Sequence, residues 1–129
     1  MVDNPKTLLL TGASRGIGHA TVKRFSAAGW RVLTVSRYAF SEHCPWEGGE
    51  ANHVQLDLAD IAALPAAIEA LRRKLPTGRL DALVNNAGIS PKGTDGRRLG
   101  TLNTDEATWQ AVFNVNFFAP ILLARGLGD

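Results

Sequence analysis

One stretch near the N-terminus constrains the fold more than any other, the run LLLTGASRGIG at residues 8–18. An apolar segment stops at glycine and restarts with helical spacing, which predicts a strand, a tight turn and a helix. Gly12 would let the chain leave the strand, Gly16 would let the backbone approach a diphosphate, and Gly18 would let the helix lie close to the strand. The free N–H groups of the first helical turn favour bound negative charge. The turn therefore predicts a dinucleotide site, although packing alone also produces glycine-rich turns.

The rest of the chain alternates between strand and helix patterns. Strands are predicted at 6–11, 32–35, 52–56 and 80–84, and helices at 17–28, 61–75 and from Thr104 through Phe117. Thr104 is predicted to cap the last of these helices, and residues 89–103 are predicted to form a surface loop with no pattern. On the first helix, an apolar face is predicted from Ile17, Ala20, Thr21, Phe25 and Ala28. Strict alternation predicts a parallel sheet with helices on both faces. The predicted fold class is α/β, a Rossmann-like, doubly wound, three-layer domain over residues 1–129 that stops after about four strands.

Composition limits the partners and the cellular compartment that we expect for this chain. The 129 residues are 45% hydrophobic, enough for one core. Because the net charge is only +2, neither nucleic acid nor an anionic membrane is indicated as a partner. The single cysteine, Cys44, cannot form an internal disulfide, and we find no signal sequence or apolar run long enough to span a bilayer. These features predict a cytoplasmic protein.

The histidines, His19, His43 and His53, lack zinc-ligand spacing, so we expect surface positions and no metal site.

Polar residues or glycine follow each predicted strand. They are Gly12, Ser36 and Arg37, Asp57, and Asn85 and Asn86. Ligands of open parallel sheets bind outside the carboxyl ends of the strands. These four strand ends are therefore expected to meet at one crevice.

These motifs together resemble the short-chain dehydrogenase/reductase family, in its TGxxxGxG branch. The matching pieces are Thr11–Gly18, Asp57 with Leu58, Asn85–Gly88, and Asn116. The resemblance covers nearly all of this chain but only the first half of the family's fold. It implies an oxidoreductase that transfers a hydride between a nicotinamide dinucleotide and a small carbonyl or alcohol substrate.

The resemblance also implies cofactor contacts. Asp57 would accept from the adenine amino group, with the backbone of Leu58 beside it, and Asn86–Gly88 would lie along the cofactor ribose. Asp57 as a helix cap, and Asn85 and Asn86 as simple turn residues, remain alternatives. The complete predicted cofactor site is Gly12, Ser14, Arg15, Gly16, Ile17, Gly18, Ser36, Arg37, Asp57, Leu58, Asn86, Ala87 and Gly88.

Charge at the second strand's end bears on which cofactor binds. NAD-binding proteins of this kind place an acidic side chain about twenty residues beyond the glycine turn. Ser36 occupies that position, Arg37 follows, and no carboxylate is near. Arg37 and Arg15 would flank a 2′-phosphate, so NADP(H) is predicted over NAD(H). The alternative is that both arginines are simply solvated.

A proline near the end of the chain draws attention to Asn116. Because Pro120 lacks an N–H, it should free the Asn116 carbonyl and kink the helix. In the family, the main-chain oxygen at this position holds a water in the proton relay, which makes Asn116 the one candidate catalytic residue here. A helix bent only for packing is the alternative.

The family's catalytic tyrosine, lysine and serine cannot be placed in this sequence. The only tyrosine, Tyr38, has Glu42 where the lysine should stand. We therefore expect the cofactor-binding half of a longer enzyme, or alternatively a non-catalytic dinucleotide-binding or interaction module. The fourth strand should be left as an apolar edge, which predicts a homo-oligomer.

Overall fold

The computed structural model describes residues 4–41, 46 and 48–128. In chain order its elements are β1 (Thr7–Thr11), α1 (Gly16–Ala27), β2 (Arg31–Ser36), β3 (His53–Gln55), a 3-10 turn (Ile61–Ala63), α2 (Leu64–Arg73), β4 (Ala82–Val84), α3 (Glu106–Phe113), a π-helical segment (Asn114–Phe118) and α4 (Ala119–Leu127). Three residues considered above, Glu42, His43 and Cys44, lie outside the described residues.

The four strands form one parallel sheet in the order β3-β2-β1-β4. Leu9 on β1 is paired with Leu33 on β2 and with Leu83 on β4. All five residues of β1 are buried, which agrees with the unbroken apolar run in the sequence. The predicted parallel α/β fold is confirmed, and β4 lies at an edge of the described sheet.

Helices cover both faces of the sheet. On one face Leu8 and Leu10 pack with Val22 of α1, and on the other Leu9 packs in a cluster that includes Leu71 of α2. Alternate residues of β1 therefore serve opposite layers, as the pleat of a strand requires. Pro65 lies in the first turn of α2, where a missing N–H costs no helical hydrogen bond.

The inward face of α1 differs from the predicted one. Gly18 and Val22 are buried, and Phe25 packs beside them, whereas Ile17 is 78% exposed. These three inward residues follow the i, i+4, i+7 row of a helix. Because Gly18 must lie against the strand, it sets the rotation of the helix. The spacing of apolar residues alone did not indicate this contact between Gly18 and the strand.

Two further predictions about local structure are corrected. Asp105, not Thr104, caps α3, since Asp105 Oδ1 accepts from the Thr108 N–H at 2.7 Å. Thr104 instead donates its hydroxyl to the Gly100 carbonyl at 2.6 Å. The loop at 89–103 was expected to have no pattern, but residues Lys92 and Arg98 form an antiparallel bridge.

Pro120 does not break the last helix. The Ala119 N–H reaches the Asn114 carbonyl, five residues back, so a π-helical segment joins α3 to α4. A wider turn of this kind accommodates local disruption without ending a helix. Helix Glu106–Leu127 is consequently continuous, and by length and composition it could cross a membrane. We expected no apolar segment long enough to span a bilayer, and by length and composition this helix contradicts that expectation. The core helices of water-soluble proteins pass the same test.

Candidate functional site

The glycine turn lies between β1 and α1, as the sequence predicts. Gly12 has φ 71°, and a Cβ there would come 2.9 Å from Ala87 Cα. A Cβ on Gly18 would overlap the Gly12 carbonyl oxygen and come 2.7 Å from Asn86 Nδ2. Both glycines are required because backbone packs directly on backbone. The start of α1 is thereby held against the carboxyl end of β1.

Gly16 has a different environment. Its φ is 59°, and a Cβ there would meet nothing within 4 Å among the described residues. Arg15 precedes the helix in an extended conformation, and α1 has neither a side-chain cap nor an acidic residue in its first turn. The helix N-terminus is thus open and electropositive, which suits an anion.

Asn86 ties the end of β4 to the glycine turn. Its Nδ2 donates to the carbonyls of Thr11 at 3.2 Å and Gly12 at 3.1 Å, and the Ala87 N–H donates to Thr11 Oγ1 at 3.0 Å. No described residue other than glycine has positive φ, so neither Asn85 nor Asn86 adopts the left-handed backbone conformation. Asn86 supports the site through its side chain instead.

The end of β2 carries the two residues that bear on cofactor choice. Ser36 is 7% exposed, and its hydroxyl donates to the Tyr38 carbonyl at 2.9 Å. Arg37 is exposed, with its guanidinium carbon 5.5 Å from the centre of the Tyr38 ring. Within the described residues no carboxylate forms a salt bridge with Arg37. This strand end therefore presents positive charge.

Asp57 follows β3 and is exposed. Its Oδ1 accepts from the Ala59 N–H at 2.9 Å, a local turn, whereas Asp60 occupies the cap position of the helical segment that follows. The alternative role of Asp57 as the cap of that helix is therefore wrong. Leu58, next in the chain, is buried with an exposure of 6%.

Asn116 binds the loop after β4. Its Oδ1 accepts from the Ile89 N–H and its Nδ2 donates to the Ile89 carbonyl, both at 2.8 Å. These two bonds connect the π-helical segment to the end of the Asn85–Gly88 motif. The sequence indicated the backbone of Asn116 but gave no sign of this use of its side chain.

These strand ends surround one cavity of about 560 Å³. Among the predicted cofactor residues, Gly12, Ser14, Arg15, Gly16, Ile17, Ser36, Arg37, Asp57, Leu58, Asn86, Ala87 and Gly88 line it. Gly18 lies beneath the turn, and Asn116 acts through Ile89, which lines the cavity. The sequence analysis missed Val35, Tyr38, Leu56, Ala59, Ile89, Ala111 and Val115. Their position near strand ends, on α3 and on the π-helical segment was the available signal.

The two histidines that the structure describes, His19 and His53, belong to no group of side chains that could hold a metal ion. In the part of the chain that the structure describes, no group of three or more His, Cys, Asp or Glu side chains could hold a metal ion. His53 was expected to be a surface residue, yet both of its ring nitrogens are bonded, to Thr34 Oγ1 and to the Tyr38 carbonyl, each at 2.8 Å. The reason is its place on β3, beside β2.

A parallel sheet with a glycine turn and an open helix N-terminus at its carboxyl edge defines a Rossmann-like nucleotide-binding protein. A family model described as short chain dehydrogenase matches residues 6–128, and the chain belongs to that family.

Named relatives agree with this assignment. Protein FixR of Bradyrhizobium diazoefficiens is 55% identical over 97% of this chain and 45% of its own length. An oxidoreductase from Brucella ovis, solved with a partially ordered NAD, is 60% identical with a TM-score of 0.90 over 96% of this chain and 56% of its own. A metagenomic short-chain oxidoreductase solved with NADP is 32% identical, with a TM-score of 0.79 over 96% and 55%. The chain thus spans about half the length of these relatives.

Proposed function

We propose that this chain is the cofactor-binding half of an NADP(H)-dependent short-chain oxidoreductase acting on a carbonyl or alcohol group. The observation that carries the proposal is the open turn at Gly16, which lies in the same cavity as Arg15 and Arg37. When bound, the dinucleotide would supply the hydride or accept it. The alternative of a non-catalytic module has no observation of its own in its favour.

The cavity suits a dinucleotide on three grounds. It extends from the first turn of α1 to the ends of β2, β3 and β4, which is the extended shape that such a ligand needs. The space where a Cβ of Gly16 would lie is open, so a diphosphate could approach the helix N–H groups. Asp57 Oδ1 is occupied by the Ala59 N–H, which leaves Oδ2 for an adenine amino group.

Two observations favour NADP(H) over NAD(H). Ser36 stands where a ribose-binding carboxylate would be, and its hydroxyl hydrogen is used by the Tyr38 carbonyl. Arg37 and Arg15 both line the cavity and would hold a 2′-phosphate by charge-assisted hydrogen bonds. Relatives with each cofactor are known, so the preference rests on this chain's own residues.

Asn116 is proposed as the residue that holds a water for proton transfer. Pro120, four residues on, has no N–H for the Asn116 carbonyl, and the π-helical segment surrounds this position. The side chain of Asn116 meanwhile holds Ile89 at the cavity wall. The tyrosine, lysine and serine that the family's chemistry requires have no counterpart among these 129 residues.

Two further proposals concern the protein's setting. We place it in the cytoplasm because a single cysteine suits a reducing compartment. We also propose a homo-oligomer, since β4 is an edge strand and Phe113 and Phe117 are 48% and 53% exposed. Sedimentation that shows only a monomer at micromolar concentration would refute the oligomer.

Replacement of Arg37 by Asp tests the cofactor choice. The variant removes a cation from the 2′-phosphate position and adds an anion, so the Kd for NADPH should rise about tenfold or more while that for NADH stays equal or falls. Titration of protein fluorescence with each cofactor gives both constants. The control is Arg73→Asp, which makes the same change in net charge at an exposed site on α2, where Arg73 pairs only weakly with Glu69. An unchanged NADPH preference in Arg37→Asp would exclude the assignment.

A further inference from the structure

Side chains from β3 hold the backbone that follows β2. Gln55 Nε2 donates to the Arg37 carbonyl at 2.9 Å, and the Tyr38 carbonyl lies 2.8 Å from His53 Nε2. The Ser36 hydroxyl donates to the same Tyr38 carbonyl at 2.9 Å. Two successive peptide groups, one carrying the proposed phosphate-binding Arg37, are therefore anchored through three side-chain hydrogen bonds.

The hydrogen bonds fix the tautomer of His53. A carbonyl oxygen only accepts, so Nε2 must carry the hydrogen that it donates to Tyr38. In the neutral ring Nδ1 is then an acceptor, and the Thr34 hydroxyl donates to it at 2.8 Å. Thr34 is fully buried on β2, which fixes the ring between a rigid strand and the Tyr38 peptide.

Peptide geometry gives this anchoring a consequence for anions. In a trans peptide the N–H points opposite to the carbonyl, and the described residues contain no cis peptide. Since the Arg37 and Tyr38 carbonyls are bonded to β3 side chains, the N–H groups of Tyr38 and Ala39 are turned to the side opposite those side chains. Successive backbone N–H groups in a turn can bind an anion, and Arg37 and Tyr38 of this bend line the cavity. The Arg37 guanidinium, whose carbon lies 5.5 Å from the centre of the Tyr38 ring, adds its charge beside them.

We propose that His53, assisted by Gln55, is a positioning residue for NADP(H) selectivity. It holds the bend at residues 37–39 so that two backbone N–H groups and the Arg37 side chain are oriented together for the 2′-phosphate. This inference rests on the proposed function. His53 is not among the residues that line the cavity, and its two ring nitrogens are used by Thr34 and Tyr38, so it would act through the bend and not by contact with the cofactor.

The test compares NADPH and NADH binding in the chain and in His53→Phe. Phenylalanine removes both ring nitrogens but retains an aromatic ring beside Phe40, whose centre lies 6.3 Å from that of His53. With the bend released, the Kd for NADPH should rise about five- to tenfold, which is the factor expected when one hydrogen bond that positions the binding groups is lost. The Kd for NADH should rise by less than about twofold. His53→Gln, which keeps an N–H donor, should return the Kd for NADPH to within about threefold of the unmodified chain.

Two further variants keep the test decisive. Gln55 is exposed, so Gln55→Leu should fold even if His53→Phe does not, and it should weaken NADPH selectively by a smaller factor. Lys74→Met is the matched control. Lys74 Nζ donates to the Ala51 carbonyl at 2.6 Å, so the variant removes a side-chain hydrogen bond to another carbonyl of the segment that joins β2 to β3. It should leave the ratio of the two constants unchanged.

The outcomes separate this inference from the proposed function. If the unmodified chain prefers NADPH and neither His53→Phe nor Gln55→Leu changes that preference, the positioning role is refuted and the proposed function stands. Equal losses of affinity for NADPH and NADH would show that His53 has a purely structural role, and they would refute its role in selectivity. An unmodified chain that binds neither cofactor refutes the proposed function, and this inference with it.

Discussion

Three glycines in one turn serve three different purposes. Gly12 needs its positive φ and a close approach to Ala87, Gly18 needs only the space that a Cβ would fill, and Gly16 leaves its side of the turn open. The same residue type thus allows a bend, a contact between backbones and access for a ligand. Substitutions at the three positions should therefore affect stability and cofactor binding in different ways.

Gly18→Ala should damage both stability and cofactor binding. The added methyl overlaps the Gly12 carbonyl oxygen, which is backbone and cannot rotate away, so α1 must shift from β1. We expect a loss of about 1–3 kcal/mol in the free energy of unfolding and at least a tenfold rise in the Kd for NADPH. Thermal unfolding and fluorescence titration measure these two quantities. Gly100→Ala, where the Cβ would lie 3.4 Å from Asn103 Oδ1, should change neither much; equal behaviour of the two variants would contradict the packing account.

Single residues of the site were predictable where their chemistry is local. Twelve of the thirteen predicted cofactor residues line the cavity because strand ends in a parallel sheet converge on one edge. The side-chain bonds of His53 and Asn116 were not predictable. They depend on which residue of a neighbouring strand or loop lies opposite, and spacing within one segment does not contain that information.

At the scale of elements, α3 begins with a charged cap whose effect depends on pH. Hydrogen bonds from Thr108 hold the pKa of Asp105 below its ordinary value of 3.8. Because the pKa is lower in the folded chain than in the unfolded one, the carboxylate stabilises the fold above that ordinary value. This contribution is lost as the pH falls through the lower folded pKa.

Asp105→Ala should therefore lower the Tm at pH 7, and the difference from the unmodified chain should shrink at pH 3 and below. Melting curves recorded over this pH range provide the measurement. Asp105→Asn is the control, since an amide can still accept from the Thr108 N–H but has no charge to lose on acidification. A Tm difference for Asp105→Ala that stays constant down to the lowest pH would contradict the role of the charge.

The continuous helix formed by α3, the π-helical segment and α4 reaches the site through Asn116. In Asn116→Ala both bonds to Ile89 disappear, so the Ile89 amide should exchange with solvent faster by about tenfold or more. Hydrogen exchange followed by NMR measures this rate. Gln110→Ala on the same helix removes an amide that donates to Asn114 Oδ1, and it should leave Ile89 protected. Unchanged exchange in Asn116→Ala would show that the contact does not hold the loop.

Elements were predicted more reliably than their orientation. All four strands and the three main helical segments occur where apolar spacing indicates them. The rotation of α1 was predicted incorrectly because a glycine contact with the strand, rather than apolar spacing, decides it. Before Pro120 the helix contains a π-helical segment with an i→i+5 bond to the Asn114 carbonyl, which the sequence spacing did not indicate.

The whole molecule brings one carboxyl edge of the sheet, one helix N-terminus and two arginines to a single cavity. The same chain leaves large apolar side chains such as Phe113 and Phe117 half-exposed on the helix that follows β4. Since the chain spans about half the length of its relatives, turnover belongs to the proposed longer protein, whereas cofactor binding can be tested on these residues alone.

The most direct measurement is the Tm of the chain in the presence of each nicotinamide cofactor. A ligand that binds only the folded state at one hundred times its Kd stabilises it by about 2.7 kcal/mol, which should raise the Tm by several degrees. We predict that NADPH produces this rise at a lower concentration than NADH does. A folded sample whose Tm and tryptophan fluorescence respond to neither cofactor would contradict the proposal that this cavity binds a dinucleotide.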